Sequence, residues 1–316
     1  MSTPQPALTT ETPEVTPEDV RANLISVRNR VEALAQELQL AKMPTLVAVS
    51  KFKPVSLIRA AYDAGQRHFG ENYVQELEEK APLLPRDIHW HLIGHLQSNK
   101  VSVVHIPNLA FIESVDSIKL ANKLDSAMSK HRPSAPARCL SQPPPPLKQA
   151  LEPSSPLTPM PVVRKGVTPA SEDATAMDRL KVMVQVLTSD EERKNGVEMG
   201  AACIELCRYI RTSCPNLELL GLMTIGAPGD MGAFTSLVAC RLEVAQALGL
   251  APESLELSMG MSHDFPEAIR AGSTNVRVGT TIFGARHMTH AAAGMLPPAH
   301  PAPVPVHPTA SAEAPM

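Results

Sequence analysis

The amino-acid sequence predicts an α/β fold, namely a single (β/α)8 TIM-type barrel with one extra helix at its amino terminus. Two observations lead to this prediction. Eight apolar runs rich in β-branched residues alternate with helical stretches along the chain, as in a barrel whose parallel strands are each followed by a helix. The part of the chain suited to folding is also about 220 residues long, which lies within the usual range for such a barrel.

Proline marks the segments that cannot form a core. Of the 31 prolines, 11 lie between Lys130 and Asp178 and seven follow His287. Segments rich in Pro, Ser and Thr bury too little apolar surface to offset the entropy lost on ordering. We therefore expect one barrel domain over 17–287, a disordered head over 1–16, a disordered insertion over 131–178 and a disordered tail over 288–316. The insertion precedes the fifth predicted strand, so it is expected on the face opposite the catalytic loops of such a barrel.

The first predicted helix begins at Thr16-Pro17-Glu18-Asp19, where Thr16 is an N-cap and Pro17 occupies the first helical position. The acidic residues complement the helix dipole. Apolar residues then recur at steps of three and four as far as about Leu40, which predicts one buried stripe. They are Val20, Leu24, Val27, Val31, Leu34 and Leu38.

The alternating elements follow this helix. The predicted strands cover 45–50, 67–70, 89–95, 111–115, 181–187, 218–225, 255–260 and 275–279. The predicted helices between them cover 55–64, 74–80, 117–130, 196–212, 231–248 and 265–271. A doubly wound open sheet is the alternative, and it requires the weaker strands, chiefly 67–70, to be absent.

Composition excludes several classes of protein. A formal net charge of −3 and an aromatic content of 3% disfavour a nucleic-acid surface, which needs concentrated cations or stacking rings. No apolar run approaches the length of a membrane span, and the acidic head lacks the features of a signal or transit peptide, so we expect a cytoplasmic protein. The five cysteines have no CxxC spacing, which favours reduced thiols over a disulfide framework or a zinc site.

Lys51 is the first candidate for chemistry. It directly follows the apolar run 46–50, so it is expected at the carboxyl end of the first strand, where barrels carry their functional residues. A lysine that is desolvated there can lose its proton and attack an aldehyde. Lys53 is the competing residue, and a lysine whose stem packs on the barrel rim is the structural alternative.

The last two strands carry a second signal. Arg277 interrupts an apolar strand that ends at Gly279-Thr280, and Ser262 follows the preceding strand as an expected N-cap. Backbone amides and hydroxyls at such positions suit a phosphate, and the loops after strands seven and eight commonly bind one in these barrels. Glycines at strand ends also serve simple turns, so both readings stay open at this point.

Five motifs in order resemble one known family, the pyridoxal phosphate homeostasis proteins, also called proline synthase co-transcribed homologs. The resemblance runs from about residue 20 to Arg286 and is interrupted by the Pro-rich insertion. The motifs are Val49-Ser50-Lys51-Phe52-Lys53-Pro54, Phe69-Gly70-Glu71-Asn72-Tyr73-Val74-Gln75-Glu76, the stretch 89–100, Gly221-Leu222-Met223-Thr224, and the stretch 258–262 together with Arg277-Val278-Gly279-Thr280. The chain departs from the family pattern at Leu187 and Asp190, near the end of the fifth strand.

The resemblance implies an alanine-racemase-like barrel that holds pyridoxal 5'-phosphate as a Schiff base on Lys51. It implies further that Ser262, Gly279 and Thr280 contact the phosphate, that Asn72 lies beside the cofactor, and that Arg277 faces the pyridine nitrogen. An arginine does not readily give up its proton, so the ring nitrogen stays unprotonated and the cofactor is a poor electron sink.

Two functions remain open on the sequence. The resemblance implies a cofactor carrier or buffer without substrate turnover, a monomer or loose dimer that could pass pyridoxal phosphate to apo-enzymes. The alternative is a pyridoxal phosphate-dependent amino-acid racemase, which would need a tyrosine from an additional β domain as its second acid/base. The residues after Arg286 do not read as such a domain. We expect no metal site, because the histidines at 89, 91 and 95 lack an acidic partner at HExxH spacing.

Overall fold

The computed structural model describes residues 15–130, 179–189, 195–226 and 230–285. Its strands are β1 Thr45–Val49, β2 His68–Glu71, β3 His89–Leu92, β4 Leu109–Val115, β5 Leu180–Leu187, β6 Val197–Glu198, β7 Leu217–Met223, β8 Glu256–Ser258 and β9 Asn275–Val278. Its α-helices are α1 Pro17–Glu37, α2 Val55–Asp63, α3 Val74–Lys80, α4 Ile118–Lys130, α5 Ala201–Ser213, α6 Met231–Leu248, α7 Phe265–Arg270 and α8 Thr280–Phe283.

Eight of the described strands form a closed parallel barrel. The sheet runs β4-β3-β2-β1-β9-β8-β7-β5, and pairing between β4 and β5 closes it. The weakest predicted strand is present as β2, which pairs with β1 and β3. The predicted (β/α)8 fold is therefore confirmed, and the open doubly wound sheet is excluded. The short β6 pairs only with the carboxyl end of β5.

The extra helix α1 covers the side of the barrel where the last helix has a single turn. Its Thr16 cap is complete, since the Thr16 hydroxyl accepts from the Asp19 amide at 3.2 Å and the Thr16 amide donates to the Asp19 carboxylate at 2.9 Å. Its apolar stripe is buried as predicted, apart from a half-buried Leu38, and α1 packs against α2, α7 and α8. Because α8 has only four residues, α1 supplies the apolar cover that a full eighth helix would give.

One predicted helix and one predicted strand have clearly different bounds in the structure. The helix predicted from 196 begins at Ala201, because Gly196 and Gly200 adopt φ values of +148° and +75° that no helix contains. The third strand ends at Leu92 instead of residue 95, and a 3-10 helix, Val101–His105, connects it to β4.

The predicted insertion lies outside the described residues, as do the predicted tail and all but the last two residues of the predicted head. The flanking elements are described: α4 ends at Lys130 and β5 begins at Leu180. Residues 131–178 thus join a helix to the amino end of a strand, as predicted. Among the helices described, none is long and apolar enough to cross a membrane.

Candidate cofactor site

Lys51 lies in a turn immediately after β1, at the carboxyl end of the barrel. It is half-buried, and the next residue, Phe52, has a φ of +60°. A bulky residue in this left-handed region is strained, and such strain persists only where the surroundings hold it. The ring of Tyr73 packs 5.3 Å from that of Phe52, between centroids. The turn that carries Lys51 is therefore held in an unusual conformation.

A buried cluster of charges holds this turn from both sides. The ammonium group of Lys80 on α3 donates to the Ser50 carbonyl at 2.9 Å, to the Glu71 carboxylate at 2.8 Å and to the Glu76 carboxylate at 2.5 Å. Glu71 also accepts from the Ser50 hydroxyl at 2.7 Å, and Glu76 accepts from the Phe52 amide at 2.8 Å. Ser50 and Phe52, the residues before and after Lys51, are thus both hydrogen-bonded to one ionic cluster.

The cluster contains two carboxylates, Glu71 and Glu76, but only one ammonium group, that of Lys80. Burial raises the pKa of Glu71 to about 7, although the nearby Lys80 ammonium opposes this shift. One oxygen of Glu71 and one of Glu76 are buried and have no hydrogen-bond partner among the described residues. A proton on Glu71 would relieve this excess of negative charge.

Asn72 extends the site along β2. It directly follows the strand, and its side-chain oxygen is buried without a hydrogen-bond partner among the described residues. Its backbone lies against Gly94, where an added Cβ would come within 2.1 Å of the Asn72 carbonyl oxygen. Only glycine fits there, so Gly94 lets the chain after β3 pack directly on Asn72. A buried amide with unused hydrogen-bonding capacity is typical of a position that meets a ligand.

Ser262 contacts the start of α8 and is not the predicted cap of the helix after β8, because α7 begins at Phe265 with Asp264 in the cap position. The Ser262 hydroxyl accepts from the amides of Gly279 at 3.1 Å and Thr281 at 3.4 Å, while Thr280 is exposed as the first residue of α8. A Cβ at Gly279 would lie 3.3 Å from Val49, the last residue of β1. The structure thus brings three of the residues predicted for the phosphate together, next to the strand that leads to Lys51. Thr281 joins them without having been predicted.

Arg277 projects from β9 and is almost completely buried. One guanidinium nitrogen donates to the Ser258 hydroxyl at 2.6 Å and another to the Thr224 carbonyl at 2.7 Å. Burial lowers the pKa of Arg277, and the charges of Glu113 and Asp264 oppose that shift. In register, Arg277 pairs with Val47 of β1. Arg277 therefore lies on the strand next to β1, while Lys51 and Gly279 directly follow the carboxyl ends of these two adjacent strands.

A carboxylate at the centre of the barrel connects strands that are not neighbours. Glu113 of β4 accepts from His91 at 2.5 Å, from the Ser258 hydroxyl at 2.5 Å and from the Asn275 amide at 3.1 Å. Since β4 pairs only with β3 and β5, its bonds to β8 and β9 cross the barrel interior. His91 extends this hydrogen-bond network to His68, with 3.0 Å between ring nitrogens. Burial lowers the pKa of His68 to about 3, so His68 is neutral near pH 7.

The histidines predicted not to bind metal have other partners. His91 bonds to Glu113, His89 stacks on His68 with 4.9 Å between centroids, and His95 pairs with Asp116 at 3.3 Å. In the described part of the chain, no three His, Cys, Asp or Glu residues are arranged to hold a metal ion.

The chain is similar in sequence to known proteins. Residues 167–287 match the family model of the alanine racemase N-terminal domain. The chain is 42% identical over 258 residues to the pyridoxal phosphate homeostasis protein of Mus musculus, with 78% of each chain covered. It is 36% identical over 278 residues to the protein of that name in Escherichia coli, with 85% of this chain and 97% of the relative covered. The chain belongs to the pyridoxal phosphate homeostasis protein family.

Solved structures agree with this membership. PipY of Synechococcus elongatus, solved with pyridoxal phosphate bound, is 30% identical with a TM-score of 0.57, covering 84% of this chain and all of PipY. Alanine racemase of Corynebacterium glutamicum is 14% identical with a TM-score of 0.54, covering 86% of this chain and 62% of the racemase. At that identity the racemase shows a shared fold alone.

Glu113, Ser258 and the Lys80 cluster were not singled out by the sequence analysis. Glu113 had a usable signal, because it interrupts an apolar strand in the same way as Arg277. A charged residue inside a buried strand needs a partner of opposite charge, so the sequence could have predicted that Glu113 and Arg277 interact. Lys80 had no comparable signal, since a lysine near the end of a helix is common on an exposed surface.

Proposed function

We propose that this protein binds pyridoxal 5'-phosphate as a Schiff base on Lys51 and acts as a carrier or buffer of the cofactor. One observation carries the proposal: in a chain of this family, the strained turn with Lys51 follows β1, and the adjacent strand β9 carries Arg277 and leads directly into Gly279. The pyridoxal phosphate bound in PipY supports the same choice of ligand.

The residues present fit this cofactor. The Lys51 amine would condense with its aldehyde, releasing water, and the cofactor would supply that aldehyde together with an aromatic ring and a phosphate. Ser262, Thr280 and the amide of Gly279 would hold the phosphate, because hydroxyls and amides at a helix start suit an anion. Asn72 could contact the cofactor as well, because its buried side-chain oxygen has no hydrogen-bond partner in the part of the chain that the structure describes.

Lys53 is the weaker candidate for the covalent bond. Its ammonium group donates to the Ala285 carbonyl at 2.7 Å, which joins the chain after β1 to the end of the described chain. Burial lowers the pKa of Lys53, but its amine is directed at a backbone oxygen. We therefore propose a structural role for Lys53, and the place of Lys51 directly after β1 favours Lys51 as the nucleophile.

We propose further that the protein has no turnover of its own. Arg277 keeps its proton and leaves the cofactor's ring nitrogen without one, which disfavours carbanion chemistry. The alternative, an amino-acid racemase, has one observation in its favour. Tyr73 packs on Phe52 beside the site, whereas the hydroxyls of Tyr62 and Tyr209 bond to Asp87 and Asn122. Racemisation of alanine that is abolished by both Lys51→Ala and Tyr73→Phe would establish the alternative.

A transfer assay tests the proposed role. Protein loaded with pyridoxal phosphate is mixed with an apo-enzyme that depends on the cofactor, the class of partner we propose. We expect activity to return faster than spontaneous release from the carrier allows, and we expect Lys51→Ala to eliminate the effect. Return at the rate of spontaneous release would contradict a carrier role while leaving a buffer role intact. We place the protein in the cytoplasm as a monomer or loose dimer, which fractionation and gel filtration would check.

A further inference from the structure

Arg277 carries a positive charge into the barrel interior, where such a charge needs compensation. A buried ion that lacks a partner costs several kcal/mol of folding free energy. Among the described residues, no ion pair joins its guanidinium directly to a carboxylate, and it donates hydrogen bonds to the Ser258 hydroxyl and the Thr224 carbonyl. Both acceptors are neutral, so the countercharge must act from further away.

Glu113 is placed to supply that countercharge. The Ser258 hydroxyl accepts from Arg277 at 2.6 Å and donates to Glu113 at 2.5 Å, so one oxygen atom connects cation and anion. Burial alone would raise the pKa of Glu113, but hydrogen bonds from His91 and Ser258 and the charge of Arg277 lower it below its ordinary value. Glu113 therefore stays ionised, with both carboxylate oxygens hydrogen-bonded.

The hydrogen bonds of Ser258 also fix the orientation of the Arg277 guanidinium. A hydroxyl has one proton, and Ser258 uses it toward Glu113, which turns its lone pairs toward the guanidinium. The other nitrogen of Arg277 is held by Thr224 at the end of β7, whose hydroxyl bonds to that of Thr188 at 2.7 Å. Arg277 is thus oriented by groups on β4, β7 and β8, although it belongs to β9.

We propose that Glu113 and Ser258 are positioning residues for the cofactor, because they hold the Arg277 guanidinium in the orientation in which it meets the pyridine ring. The proposal rests on the proposed function. Neither residue touches the cofactor in this account, since each acts through Arg277.

A matched set of variants separates positioning from simple structural support. Ser258→Ala removes the hydroxyl that connects Glu113 to Arg277, and Glu113→Gln removes the negative charge. Asn275→Ala also removes a hydrogen bond to Glu113, but the Asn275 side chain bonds to Glu113 and not to the Arg277 guanidinium. For each variant, the unfolding of the apo-protein and the rate of pyridoxal phosphate release on dialysis are measured, together with the visible absorption of the loaded protein.

We expect all three apo-proteins to lose stability, but only Ser258→Ala and Glu113→Gln to release the cofactor about tenfold faster, the effect of losing one charge-assisted hydrogen bond. Their visible absorption should shift as well, while that of Asn275→Ala stays like the wild type. Should Glu113→Gln fail to fold, Ser258→Ala decides the question. Equal release from Ser258→Ala and Asn275→Ala overturns this inference alone, whereas a wild-type protein that retains no cofactor overturns the proposed function with it.

Discussion

Two buried carboxylates on neighbouring parts of the barrel, Glu71 and Glu113, have pKa values shifted in opposite directions. Both are fully buried, so desolvation disfavours the ionised form of each. Glu113 has donors on both oxygens and an arginine nearby, and its pKa falls. Glu71 has one oxygen without a donor and a second acid beside it, and its pKa rises to about 7. Because both groups are fully buried, the number and charge of their neighbours decide the direction of each pKa shift.

The difference corresponds to two tasks. The Glu71 cluster, with Glu76 and Lys80, holds the backbone on both sides of Lys51 and carries an excess of acid. The Glu113 cluster holds the side chain of Arg277 and is balanced in charge. We infer that the first half of the site responds to pH near neutrality while the second does not.

Removal of the base from the acidic cluster should have the largest effect. Lys80→Met leaves two buried carboxylates without their cation, so we expect a loss of about 3–5 kcal/mol in the free energy of unfolding, measured by urea denaturation. The control is Lys42→Met, because Lys42 pairs with Glu256 while largely exposed, and such pairs contribute less than about 1 kcal/mol. Equal losses in the two variants would show that the cluster does not hold the turn.

Glu71 should give the next largest effect, which is a dependence of the free energy of unfolding on pH. Its folded pKa of about 7 exceeds its ordinary value of 4.5, so the folded protein retains a proton that the unfolded chain releases. The stabilisation from this group is complete below pH 4.5 and is lost as pH rises through 7. Relative to Glu71→Gln, the wild type should therefore lose up to about 3 kcal/mol between pH 4.5 and pH 8. A constant difference over that range would contradict the raised pKa.

Glu113 should show the opposite slope. Its folded pKa is lowered, so its stabilisation is present above the ordinary pKa of 4.5 and is lost as pH falls through the lower folded value. Glu113→Gln should cost about 2 kcal/mol at pH 7, the value of a hydrogen bond to a charged group. That cost should shrink only below pH 4.5. The two glutamine variants, titrated side by side, test the comparison directly.

Ser262 gives the smallest expected effect, because it caps amides without any buried charge. Ser262→Ala should cost about 1 kcal/mol of unfolding free energy, with no dependence on pH between 5 and 8. Affinity for pyridoxal phosphate should fall at the same time, measured by equilibrium titration of visible absorption. Unchanged affinity would remove Ser262 from the proposed phosphate contacts.

The fold was predictable because its signals are local. Apolar runs of strand length and the Thr16 cap are read within a few residues, and even the weak strand at 67–70 exists as β2. Lys51 and Arg277 could be singled out because each has an unusual place on a strand. The partnership of Arg277 with Glu113 and Ser258 joins residues far apart in sequence across the barrel, and Phe52 shows no sequence sign of its positive φ. Such contacts depend on strand register, which hydrophobic periodicity does not specify.

Lys51 and Lys53 lie two residues apart, so a direct measurement must show which lysine binds the cofactor. Protein loaded with pyridoxal phosphate is reduced with borohydride and digested, and the modified peptide is sequenced by mass spectrometry, with Lys53→Ala as a matched variant. We expect a pyridoxyl adduct on Lys51, unchanged in Lys53→Ala and absent in Lys51→Ala. An adduct on Lys53, or one that persists at the same peptide after Lys51 is replaced, would contradict it.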